Sequence, residues 1–131
     1  MSITALGYMG IRSPSLGDWS DYASRQLGMQ QVDRGGGTLS FRMDDWQQRL
    51  VLLDQPGDEL AFMGWQVENA DDLDVLAARI EAFGISVTEA GKSLCDQRFV
   101  TRMIFCDDPD GNRVELFAMP KLASDPFAPG R

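Results

Sequence analysis

Most catalytic relays and many transition-metal sites are built on imidazole, and this sequence has no histidine. Ser-His-Asp and Cys-His relays are therefore excluded. So is the set of two histidines and one carboxylate that holds non-haem iron. The two cysteines, Cys95 and Cys106, show no C-x-x-C spacing, which argues against zinc. No cation stands near them to make a reactive thiolate. Asp107, Asp108 and Asp110 could suggest a calcium loop, but the full ligand set and closing glutamate of an EF-hand are missing. Gly35-Gly36-Gly37 could suggest phosphate binding, but no Lys-Ser/Thr follows and no helix pattern starts there. Turn chemistry accounts for both runs. Phe62 and Trp65 could form an aromatic platform. Strand alternation points them to opposite faces, so one faces a cleft and one faces a helix. An all-oxygen metal site would have to draw on Glu115 and a residue such as Gln48.

The elements that position these residues fit one domain. The chain has 131 residues, 44% of them hydrophobic, which suffices for a core without staples. Twenty acidic against 12 basic residues give a net charge of −8. Nucleic acid and anionic membrane surfaces are therefore not expected as partners. No apolar run reaches bilayer-spanning length, and the N-terminal residues do not read as a secretory leader. The expectation is a cytoplasmic protein with reduced thiols.

Residues 3–12 read as a strand. A helix follows, capped by Ser15 or Asp18, with Trp19, Tyr22, Ala23 and Leu27 on one stripe and Gly28 as its stop. Strands at 30–33, 38–43 and 49–53 complete the first half. The second half restarts with a strand at 60–67. A helix capped by Asn69 comes next, with Leu73, Leu76, Ala77, Ile80 and Phe83 as its apolar stripe and Gly84 as its stop. Strands at 85–88, 99–106 and 113–118 close the chain. Tyr8 aligns with Phe62 and Gly10 with Gly64, and both helices end in glycine. The pattern predicts two copies of strand, helix and three strands. The fold class is α+β: two tandem βαβββ modules, about 1–56 and 57–120, with facing curled mixed sheets and outer helices. Residues 121–131 are Pro-, Gly- and Ala-rich and read as a tail or interdomain linker.

Leu6-Gly7-Tyr8-Met9-Gly10, Gln26-Leu27-Gly28, Phe62-Met63-Gly64-Trp65-Gln66-Val67 and Asp108-Pro109-Asp110-Gly111-Asn112-Arg113-Val114-Glu115-Leu116 carry a resemblance. Together they resemble the vicinal oxygen chelate superfamily of glyoxalases, bleomycin-resistance proteins and extradiol dioxygenases. Within it, the chain is most similar to the N-terminal domain of two-domain extradiol ring-cleavage dioxygenases of the 2,3-dihydroxybiphenyl type. The resemblance implies a non-catalytic domain whose parent, an oxidoreductase of aromatic catabolism, cleaves a catechol with O2 and iron(II). Matched to the family's metal-ligand positions, this sequence carries Tyr8, Phe62 and Glu115, of which only Glu115 keeps a plausible ligand. The implied assignment is no catalytic residue, no metal and no cofactor in this chain, with iron(II) in a C-terminal domain. Tyr8, Phe62 and Glu115 remain candidates for lining a ligand cleft. The implied partners are that C-terminal domain, an aromatic small molecule in the parent, and further copies in a homo-oligomer. A free-standing, metal-free small-molecule binder of the same fold is the alternative.

Overall fold

A computed structural model describes residues 3–130. Among them are eight strands: β1 (Ile3–Ser13), β2 (Gln30–Gly35), β3 (Thr38–Arg42), β4 (Leu50–Asp54), β5 (Glu59–Val67), β6 (Thr88–Glu89), β7 (Val100–Asp107) and β8 (Arg113–Pro120). The helices are α1 (Leu16–Asp21), α2 (Ala70–Ala82) and α3 (Lys92–Arg98). The chain divides into two compact units. Residues 8–61 and 122–130 form the N-terminal unit, and residues 3–7 and 62–121 form the C-terminal unit.

The N-terminal unit has the strand order β2-β3-β4-β1. β1 runs parallel to β4, from Met9 opposite Leu50 to Ser13 opposite Asp54, and the other neighbours are antiparallel. One sheet face packs Leu39, Phe41, Leu50 and Leu52 against Ala23, with Met9, Ile11, Leu16, Trp19 and Met29 around them. The C-terminal unit repeats the order as β6-β7-β8-β5, again with its first and last strands parallel. Its core joins Val67, Ile104, Leu116 and Ala118 to Leu73, with Trp65, Leu76, Ala77 and Ile80 packed against it. The α+β class and the duplicated strand grammar are therefore present in the structure.

Four local details differ from the sequence reading. The first helix is α-helical only to Asp21 and continues as one π-helical stretch over Tyr22–Gln26, closed by Leu27 N–H donating to Tyr22 O at 3.2 Å. The extra residue in that turn breaks the 3.6-residue period. Ala23 is buried, while Tyr22 and Leu27 are about half exposed. At α2, Asn69 caps Asp72 N–H as its position suggests, but Phe83 lies past the helix end and is 78% exposed. Residues 85–87 are irregular, and β6 is only two residues long. The seven-residue α3, which no periodicity announces, follows it and ends at Phe99 in a left-handed conformation (φ 57°).

The tail runs along the N-terminal unit. Ala123 N–H donates to Asp45 O at 2.8 Å, Ala128 N–H to the Gln30 side chain at 2.8 Å, and Gly130 N–H to Gly28 O at 3.2 Å. Among the described residues, no helix is long and apolar enough to cross a membrane.

Candidate functional site

In the C-terminal unit the β5–β8 register sets Gly64 opposite Glu115. Paired residues of neighbouring strands share a face, and so does the residue two before each. Phe62 and Glu115 therefore stand on the same face, either side of a glycine that fills no space. Arg98, the last residue of α3, enters there. Its Nε donates to Glu115 Oε1 at 2.8 Å and its Nη2 to Oε2 at 3.0 Å, a bidentate fork. Its guanidinium carbon lies 3.7 Å from the centre of the Phe62 ring. Arg113 adds a bond from Nε to Glu115 Oε2 at 3.2 Å and stacks over Phe105 at 3.8 Å.

Glu115 is fully buried, and Phe62 is 4% exposed. A lone carboxylate in that position would be costly, which is why two guanidinia converge on it. Both carboxylate oxygens are engaged, and a cation already sits between residues 62 and 115. Tyr8 is also buried, at 2% exposure, and belongs to the N-terminal unit. The structure thus brings Phe62 and Glu115 together through Arg98. No sequence pattern singles Arg98 out, because its role depends on a short helix with no periodic signal.

A second polar cluster lies in the N-terminal unit. Arg42 is 2% exposed; its Nη2 donates to Asp125 O at 2.9 Å and its Nη1 to Asp125 Oδ1 at 3.4 Å. Burial and the nearby Arg42 charge lower the pKa of Arg34. Gln48, the other oxygen donor considered from sequence, is buried in this unit at 5% exposure. An arginine ending a strand of otherwise inward residues was the available signal for Arg42.

The remaining motifs do structural work. Asp108 Oδ1 accepts from the N–H groups of Asn112 at 2.8 Å and Asp110 at 2.9 Å, closing the turn with Gly111 at φ 85°. These bonds, the Asn112 N–H first, hold the Asp108 carboxyl below its usual range. Burial pushes both thiols up, helped at Cys95 by Glu89 and Asp96 and at Cys106 by Asp107 and Asp108, so neither is activated.

The family model described as Dihydroxybiphenyl dioxygenase BphC D1 matches residues 6–55. Biphenyl-2,3-diol 1,2-dioxygenase of Sphingomonas paucimobilis is 38% identical over 100% of this chain and 44% of its own length. For 1,2-dihydroxynaphthalene dioxygenase of Sphingobium xenophagum the figures are 35%, 99% and 44%. Among solved structures, a catechol 2,3-dioxygenase superposes with a TM-score of 0.95, 38% identity, and coverage of 100% of this chain and 47% of that one. The chain matches the N-terminal part of extradiol dioxygenases.

Its fold is that of the vicinal oxygen chelate proteins, and its match is to the N-terminal part of the longer enzymes. The domain spans under half the length of these curated relatives. The iron(II) that the resemblance implies can be tested against its donors. Among the described residues, no three of His, Cys, Asp or Glu gather into a metal-binding group. At the positions that the resemblance alone matches to the family ligands stand a phenol, a phenyl ring and a carboxylate already held by two arginines. These residues do not fit iron.

Proposed function

We propose that this chain is the non-catalytic N-terminal domain of an extradiol ring-cleavage dioxygenase whose parent opens a catechol-type ring with O2 and iron(II). The observation that carries the reading is the match of the whole chain to under half of each enzyme, and it is supported by the pairing of Glu115 with two arginines. Iron in this chemistry needs three protein ligands on one face and open positions for the catechol oxygens and O2. The reading assigns those ligands to a C-terminal domain and gives this domain scaffolding and shielding of the site. Residues 1–120 form the domain and 121–131 the path toward the next one. The parent is read as a cytoplasmic homo-oligomer acting on an aromatic small molecule.

The test is a polypeptide extended past residue 131 through its next domain, assayed for oxygen uptake with 2,3-dihydroxybiphenyl and for iron content. The extended protein should consume oxygen and carry about one iron per chain, and Glu115→Gln protein that folds should keep that iron. Oxygen uptake by residues 1–131 alone would contradict the reading. Tight binding of an aromatic ligand by an extended protein that lacks iron would favour a free-standing binder instead.

A further inference from the structure

We propose that Arg98 acts as a built-in cation that closes this domain to metal, so that exclusion of metal rests on an arginine placed against Glu115 as well as on missing ligands. The proposal concerns the chain itself and holds whether or not the reading above is correct.

The argument starts from Glu115. A carboxylate with no solvent exposure on a sheet face needs a positive counter-charge nearby. Any divalent cation reaching that face would find one buried carboxylate beside Gly64, a position without a side chain, with residue 62 on the far side. That carboxylate would offer the ion a single oxygen contact. The space is instead taken by the Arg98 guanidinium, 2.8 and 3.0 Å from the two carboxylate oxygens and 3.7 Å from the Phe62 ring centre. Arg113 takes a further share of Oε2 from the flank, stacked on Phe105 rather than on Phe62. Arg98 touches both residue 62 and Glu115. Its approach is fixed by the fold: α3 ends at Arg98, and the left-handed turn at Phe99 redirects the chain into β7. A fixed unit charge in contact with the carboxylate would repel a second cation at that face. Within a two-domain enzyme such a device would confine metal to one domain.

The experiment supplies a ligand and then removes the arginine. Cobalt(II) is titrated into four folded proteins, followed by calorimetry and by its visible absorption: the parent chain, Phe62→His, Phe62→His/Arg98→Met and Phe62→His/Arg98→Lys. Methionine keeps the apolar stem over residue 62 without the charge, and lysine keeps the charge. The proposal expects no stoichiometric cobalt site in the parent chain, in Phe62→His or in the lysine double variant. The methionine double variant should bind at least about tenfold more tightly than Phe62→His, because the repelling charge is gone. That gain should disappear when Glu115→Gln is added.

Equal cobalt affinity in Phe62→His and the methionine double variant would overturn the proposal while leaving the proposed function intact. A methionine double variant that folds without gaining cobalt, or stays unfolded at every cobalt concentration, would also overturn it, because the ion then cannot replace the guanidinium. Stoichiometric cobalt binding by the parent chain would overturn both readings.

Discussion

Glu115 gathers two arginines of the C-terminal unit onto one buried carboxylate. Its pair with Arg98 is bidentate, and the carboxylate is fully buried. Removing one partner strands the other, so Arg98→Met should cost about 3–5 kcal/mol in denaturant unfolding. Arg98→Met with Glu115→Gln should recover a large part of that loss, and a double variant as unstable as the sum of its singles would show the two residues uncoupled. Asp108 gives a pH-dependent counterpart. Its carboxyl is lowered by hydrogen bonds from Asn112 and its neighbours. A depressed folded-state value contributes stability that is fully present above the ordinary carboxylate range near about 4, and is lost as pH falls through the depressed value. Asp108→Asn should therefore be less stable than the parent chain at pH about 7 and indistinguishable from it at strongly acid pH, as read by thermal unfolding at both.

At the scale of elements, α2 separates what periodicity shows from what it hides. Five apolar positions share its stripe, yet Leu73 is fully buried, Leu76 and Ile80 are half-buried, and Phe83 is exposed beyond the last turn. Leu73→Ala should cost about 2–5 kcal/mol, Leu76→Ala less, and Phe83→Ala within about 0.5 kcal/mol of zero. Equal losses at Leu73 and Phe83 would mean that the stripe is uniformly core. The helix stops were readable because Gly28 and Gly84 adopt φ of 72° and 102°, which only glycine tolerates cheaply. The strands were readable from alternation, and the repeat from matching glycines in β1 and β5. The π-helical stretch after α1 was hidden, because one inserted residue leaves apolar spacing that still looks helical while rotating Tyr22 and Leu27 outward. Seven residues with one buried side chain, Cys95, give α3 no amphipathic signature. With α3 went Arg98, so the sequence pointed to Phe62 and Glu115 but not to the group that joins them.

At the scale of the molecule, the strand orders β2-β3-β4-β1 and β6-β7-β8-β5 show one design used twice, each copy with its core between a helix and one sheet face. Residues 123–130 are tied to the N-terminal unit in part through buried Arg42, which holds both the backbone and the carboxylate of Asp125. Arg42→Met should loosen that segment, seen as faster tryptic cleavage after Lys121; an unchanged rate would mean that the other tail bonds suffice. The central claim is that this chain, which matches the N-terminal part of extradiol dioxygenases, does not hold iron on its own. Anaerobic calorimetric titration of iron(II) into residues 1–131 tests it most directly. The account predicts no stoichiometric heat, and the same flat isotherm for Glu115→Ala. One iron bound per chain, with binding lost in Glu115→Ala, would contradict it.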